Sequence, residues 1–219
     1  MTTTKAYKGL PMEGFIATWY AKTTRKDLKR HKGMVKRLAD KIPVHGKVLE
    51  IAPGPGYFSI ELAKLGDYQV TGLDISKSFV EIARENAAEA GVKVDFREGN
   101  ASAMPFKDNT FDFIFCQAAF KNFSEPVKAI AEMHRVLRPG GVSVISDLRR
   151  DAAPEEIERE IQGMGLGPIN RFMVRWTFKN MLLKSAYSVD EIRSMVAQTP
   201  FGRCRIEISG VGFEVWLEK

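Results

Sequence analysis

The sequence predicts an open, doubly wound α/β sheet, mainly parallel and seven-stranded, with an antiparallel last strand. Three observations predict it. Short apolar runs alternate with helical periodicities from residue 47 to residue 147. The first run, Lys47 to Ile51, breaks into the turn Ala52-Pro53-Gly54-Pro55-Gly56 before a helical pattern resumes at Tyr57. Towards the end, Gly210-Val211-Gly212 separates the strand-like runs 203–209 and 213–218, a three-residue connection that makes them a hairpin. Parallel strands joined by helices require right-handed crossovers and a sheet covered on both faces.

In chain order, Tyr7, Phe15, Trp19 and Tyr20 form an aromatic cluster among Gly9, Pro11 and Gly14. This segment is too short for a core of its own and is expected to lie across the main domain. A basic helix is expected over 22–37, from Lys22, Arg25 and Lys26 to Lys36 and Arg37. Leu28, Val35, Leu38 and Ile42 give it one apolar stripe. Its basic face is either simply solvated or directed at an anionic surface or substrate.

Val48, Leu49 and Ile51 fit a strand buried on both faces. Tyr68 to Asp74 is a second strand ending in an acid, and Ser76 caps a helix from Lys77 to Ala90 that Gly91 stops. Residues 93–98 make a third strand, Gly99 to Asn109 a polar loop, and Phe111 to Cys116 a fourth strand. Pro126 suits the first turn of a helix reaching Val136, with Pro139-Gly140-Gly141 as its stop and Val142 to Asp147 as a fifth strand. Ser188 and Glu191 form a capping box for a helix reaching about Gln198.

Of 219 residues, 33 are Lys or Arg and 27 Asp or Glu, a formal charge of +6. Residues 1–50 hold 12 of these bases against 4 acids, leaving 21 against 23 in the remainder. The excess is therefore N-terminal, which weakens a general nucleic-acid role. With no long apolar run and no charged-then-apolar leader, neither a membrane span nor a signal peptide is expected, and the compartment is expected to be cytoplasmic. Cys116 and Cys204 are read as free thiols, and no spacing suits a metal.

A glycine turn after the first strand with an acid after the second serves two cofactor classes, dinucleotides and S-adenosylmethionine. A dinucleotide loop has a third glycine three residues after Gly56, where this chain has Ser59. Pro53 and Pro55 remove amides that a pyrophosphate would use. A ligand without phosphates suits the turn better, and Asp74 can accept ribose hydroxyl protons in either class.

The segments Val48 to Gly56, Gly72-Leu73-Asp74-Ile75-Ser76, Gly99 to Phe106 and Arg135 to Gly141 resemble, in order, the motifs of class I S-adenosylmethionine-dependent methyltransferases. The small-molecule group containing the ubiquinone/menaquinone-biosynthesis methyltransferases is the nearest in type. The resemblance covers residues 46–150 and implies a Rossmann-like methyltransferase fold, S-adenosylmethionine as methyl donor and S-adenosylhomocysteine as product. It places Glu50, Ala52, Gly54 and Gly56 around the methionine part, Asp74 and Ile75 at ribose and adenine, and Asn100 and Ala101 at the adenine edge. Cys116 and Gln117 would line the end of the fourth strand. Ala52 stands where the family usually has glycine, tolerable if its φ is negative, and Asn100 replaces a common Asp. Glu50 has a second reading as an acceptor for helix amides, Asn100 as a turn residue and Cys116 as an apolar filler.

A sulfonium methyl is already activated, so transfer needs chiefly in-line positioning of a small, partly hydrophobic acceptor. Acceptor-side candidates are Tyr20, Gln117, Asn122, Asp147, Arg149 and Arg175, with Phe120, Lys121 and Arg150 beside them. Relatives often carry His near 120–122; here there is none. The segment 161–187 is rich in large apolar groups between Ile169 and Leu183, with a basic stripe of Arg171, Arg175 and Lys179. It reads as a lid hinged at Gly163, Gly165 and Gly167, or as a packed helix or oligomer face. The expected division is a cap over 1–45, a cofactor core over 46–150, a lid insertion over 151–187 and a closing helix and hairpin over 188–219. The partner is then a small-molecule acceptor, with peripheral membrane contact and a homo-oligomer left open. Alternative functions are RNA modification or nucleic-acid binding through 22–37, and methylation of a lipid or quinone-like acceptor at a membrane surface.

Overall fold

The computed structural model describes residues 7–8, 12–25, 28–66, 68–165, 167–178 and 182–219. The expectations placed on Gly9, Pro11, Lys26, Lys179, Met181 and the side chain of Leu28 lie outside them. The elements are α1 (Gly14–Thr24), α2 (Leu28–Ala39), β1 (Lys47–Ile51), α3 (Tyr57–Ala63), β2 (Gln69–Asp74), α4 (Lys77–Glu89), β3 (Asp95–Glu98) and β4 (Phe111–Gln117). There follow α5 (Pro126–Val136), β5 (Leu137–Leu148), α6 (Pro154–Gly163), α7 (Pro168–Thr177), α8 (Leu183–Ser185), α9 (Val189–Ala197), β6 (Arg205–Ser209) and β7 (Gly212–Glu218).

One seven-stranded sheet has the order β3-β2-β1-β4-β5-β7-β6. The first five strands are parallel, and β7 is antiparallel to both β5 and β6. The doubly wound sheet with its reversed last strand is the architecture the sequence predicts. Apolar side chains fill both faces. On one, Leu49, Ile114, Ile130, Met133 and Ile192 pack together; on the other, Val35, Leu38 and Ile42 join Phe58, Phe113 and Trp216. That packing realises the apolar stripe of α2.

The structure corrects three local expectations. The basic run 22–37 is not one helix: α1 ends at Thr24 and α2 begins at Leu28. In a continuous helix Lys22, Lys26 and Arg30 would stack like charges at four-residue spacing. Pro139-Gly140-Gly141 is not a free stop but part of β5, which follows α5 directly. Its amides are occupied: Gly140 N–H donates to the Lys219 carbonyl at 2.8 Å, and Gly141 O accepts from Lys219 N–H at 3.2 Å. The hairpin turn is Gly210-Val211 alone, since Gly212 already pairs with Ser209.

Candidate active site

Strand β1 lies between β2 and β4, so the chain's winding direction reverses there, and the carboxyl ends of β1 and β4 diverge into a crevice where doubly wound sheets bind ligands. Two backbone positions mark the spot. Ala52, just past β1, has φ +55°, and Ala118, just past β4, has φ +55°. Left-handed alanines cost about 1 kcal/mol each and persist where surrounding bonds dictate them. Ala52 N–H donates to the Leu73 carbonyl at 2.8 Å and Ala118 N–H to the Ser146 carbonyl at 2.8 Å, so each strand tip is pinned to its neighbour. The negative φ that would make alanine easy at position 52 is therefore not what the chain adopts.

The glycine turn splits its duties. Gly54, at φ +53°, faces open space, with nothing within 4 Å of where a Cβ would stand. Gly56, at φ +79°, is instead sealed in: a Cβ would lie 2.6 Å from Phe96 Cζ and 3.0 Å from Ala83 Cβ. One glycine leaves room in front of the loop, and the other lets the loop sit down on β3 and α4.

Two buried carboxylates hold the turn and the start of the helix after it. Glu50 Oε2 accepts from the Ser59 amide at 3.0 Å and from Ser59 Oγ at 2.5 Å, which satisfies the start of α3. Asp74 Oδ2 accepts from the Gly54 amide at 2.9 Å and Oδ1 from the Ser76 amide at 2.9 Å. Burial pushes Glu50 up to about 7 against the pull of Ser59, and pushes Asp74 up to about 6 against the Ser76 and Gly54 amides. Both would regain charge beside a cation. Ile75, next in the chain, leaves 41% of its apolar surface exposed at the same end of β2.

The segment before α1 reaches over this end of the sheet. Ser76 Oγ donates to the Met12 carbonyl at 2.6 Å while accepting from the Phe79 amide at 3.1 Å. Glu13 accepts from the Lys77 and Ser78 amides at 3.1 Å each, and Tyr20 sits edge-on to Phe79. Tyr7 is half-buried: burial, then Tyr20, Asp74 and Asp147 in that order, raise the pKa of its phenol. Its backbone bridges to Phe123, behind β4. Lys8 N–H donates to the Asn122 carbonyl at 2.8 Å, and its amine to Tyr187 Oη at 2.6 Å.

At the β4 and β5 tips, Lys121 and Asp147 form a buried ion pair with Nζ 2.9 Å from Oδ1. Lys121 Nζ also donates to the Ala118 carbonyl at 2.7 Å, and Asp147 accepts from the Lys121 and Leu148 amides. Cys116 is fully buried, and burial followed by Asp147 and Glu50 raises its thiol pKa well above the ordinary value, so it is an inert wall. Gln117, the last residue of β4, is partly exposed.

Arg149 and Arg175 are tied into ion pairs of their own. Arg149 donates to the Gly210 carbonyl at 3.1 Å and pairs with Asp151 and Glu156, locking the hairpin turn to the start of α6. Arg175 is held by Glu158 at 2.6 Å, joining α7 to α6. The side-chain oxygen of Asn100 accepts from the Ser102 amide at 2.9 Å, so it serves the turn, and Ala101 packs against the core. Tyr7 and Glu13 were not among the sequence candidates. The aromatic cluster was the available signal, but nothing in its spacing says which ring turns inwards. Among the described residues there is no group of acids, His or Cys able to hold a metal.

Residues 49–145 match the family model described as a methyltransferase domain. Over 161 residues the chain is 30% identical to a demethylmenaquinone methyltransferase of Chlorobaculum parvum, covering 70% of this chain and 59% of that one. Over 100 residues it is 36% identical to a demethylmenaquinone methyltransferase of Deinococcus radiodurans, covering 45% and 42%. The chain thus spans about half the length of the curated relatives it matches. A crystal structure of a SAM-dependent methyltransferase from Aquifex aeolicus superposes with a TM-score of 0.67 at 22% identity, over 92% of this chain and 95% of that one. A Methanococcus maripaludis protein in the same class gives 0.76 at 21% identity, over 100% and 97%. These likenesses establish the fold. With the domain match, they say what the chain is similar to: residues 49–145 resemble a methyltransferase domain, on a fold shared with these structures.

Proposed function

We propose that the protein is an S-adenosylmethionine-dependent methyltransferase acting on a small, partly hydrophobic acceptor. One observation carries the reading: Asp74, buried and bonded to the Gly54 amide, stands at the open space before Gly54 at the reversal point of the sheet, with a second buried carboxylate, Glu50, at the end of the neighbouring strand β1. The space and charge fit the cofactor. Asp74 would accept from its ribose hydroxyls, Ile75 would lie against adenine, Asn100 and Ala101 would border the base, and Glu50, Ala52 and Gly56 would shape the methionine end. Bound there, S-adenosylmethionine would supply an activated methyl group for the acceptor, with S-adenosylhomocysteine as the product.

The chain's own part is binding, orientation and exclusion of water. Tyr7 and Tyr20 would cover the site from the N-terminal cap, and Gln117, Asn122 and the Lys121–Asp147 pair would form the acceptor end. The insertion over 151–187 would border it from the β5 side. Lys121 already donates to Asp147 and Ala118, in keeping with a reaction run by proximity. The relatives named for demethylmenaquinone favour a quinone-like ring as acceptor. Incubation with S-adenosylmethionine and a panel of acceptors, quinones included, tests this by release of S-adenosylhomocysteine. Release with none of them, in a protein that binds the donor, would remove the acceptor assignment.

A further inference from the structure

The amino ends of the central strands border a second cavity, at the opposite end of the sheet from Asp74 and Gly54. Its volume of about 610 Å³ is that of a small-ligand site. Lys47 opens β1, Gln69 opens β2 and Phe111 opens β4, and all three line it, with the 105–110 loop as its outer wall. That wall is held in shape. Thr110 Oγ1 donates to the Lys107 carbonyl at 2.6 Å, Arg135 to the Phe106 carbonyl at 2.8 Å, and Lys219 Nζ to Asn109 Oδ1 at 2.7 Å. Phe106 packs edge-on to Phe111 with ring centroids 5.0 Å apart.

Among the described residues that line the cavity, Lys47, Arg97, Lys107 and Arg138 are cations and Asp108 is an acid. Three of these charges are already matched. Arg97 is held by Asp95 at 2.7 Å, Arg138 by Asp112 at 2.7 Å and Asp108 by Arg135 at 2.8 Å. Lys47 and Lys107 are different: neither ammonium forms an ion pair among the described residues. The negative end of α5 arrives at the same place, but its last carbonyls are occupied. The Asn109 and Thr110 amides donate to Arg135 and Val136, and Lys219 Nζ donates to His134 at 2.8 Å. Two unmatched positive charges therefore border one preformed space.

We propose that this cavity is a second binding site, for a small phosphorylated molecule. A dianion matches two ammoniums, whereas a lone carboxylate would leave one of them unmatched. Gln69, Thr71 and Asn109 supply uncharged donors at the same wall. Phe106, with the Arg97 guanidinium 5.5 Å over its ring, gives a flat flank for an organic part. The site uses neither Glu50 nor Asp74, so it goes beyond the methyl-transfer reading and stands without it.

Inorganic pyrophosphate and uridine 5′-monophosphate are suitable probes, because neither carries an adenine that the cofactor crevice could take. Isothermal titration of the wild type should show saturable one-to-one binding, unchanged by saturating S-adenosylmethionine and weakened by added salt. Tighter binding of the nucleotide assigns the site to an organic phosphate, and tighter binding of pyrophosphate to a free inorganic anion. Lys47→Gln with Lys107→Gln should weaken binding by about tenfold. Lys36→Gln with Lys184→Gln removes the same charge from exposed positions on α2 and α8 and should leave binding as it is. Amine labelling read by mass spectrometry locates the site in the unsubstituted protein, where either probe should protect Lys47 and Lys107. A wild type that binds neither probe overturns the proposal, as does an equal loss in both double variants or protection that falls elsewhere. Competition between S-adenosylmethionine and the probes would give the anion to the crevice and overturn it as well. Titration with S-adenosylmethionine alone reports on the cofactor site, so the two readings fail separately.

Discussion

At Gly54 and Gly56, two residues with the same backbone freedom have separable consequences. Gly54→Ala adds a methyl group to open space in a left-handed conformation, costing about 1 kcal/mol of stability while intruding where the cofactor would lie. Gly56→Ala drives a methyl group into Phe96 and Ala83 and should cost about 2–4 kcal/mol. Thermal unfolding with donor titration checks the pair: the first variant should stay folded and bind poorly, and the second should lose the fold first. Glu50 and Asp74 make a pH prediction. Their folded values, about 7 and about 6, lie above ordinary carboxylate values. Their contribution to stability is therefore full in acid and lost as pH rises through 6 to 7. Denaturation of the ligand-free protein should show that decline, and Glu50→Gln should flatten its upper part by about 1–3 kcal/mol. Binding of a cationic ligand should strengthen over the same range with release of protons, which calorimetry in buffers of different ionisation enthalpy reads.

Among the elements, the run Arg135 to Gly141 shows what a motif does mechanically. Arg135 donates to the Met104 and Phe106 carbonyls at 3.0 and 2.8 Å and pairs with Glu132 and Asp108. Glu132 in turn accepts from the Met104 amide at 2.7 Å. One guanidinium on α5 thus fixes the 100–108 loop that would border adenine. Arg135→Ala should lower stability by about 2 kcal/mol, and hydrogen exchange should show protection lost first at Met104. The turn between two periodicities, the acid at the end of β2 and the cap at Ser76 were legible because they rest on local signals. The partners of the cations further along the chain were not. Arg149 and Arg175 are cations beside the crevice in sequence, and only the fold shows them paired with Glu156 and Glu158. Likewise the split between α1 and α2 depends on which contacts each half of a basic run finds, not on its periodicity.

In the whole molecule, the sheet reversal between β2 and β4 brings together the turn after β1, the acid ending β2 and the Lys121–Asp147 pair behind β4 and β5. Strand order and parallel direction followed from alternation and connection length; where Lys8, Met12 and Gly14 are fastened depends on Asn122, Ser76 and Ser78, partners far away in sequence. The central claim is that this convergence is a cofactor site. Isothermal titration of the wild type and Asp74→Ala with S-adenosylmethionine tests it most directly. The account predicts saturable one-to-one binding by the wild type and its loss or severe weakening in a variant that remains folded. A wild type that releases no heat of binding, or an Asp74→Ala variant that binds as the wild type does, would contradict it.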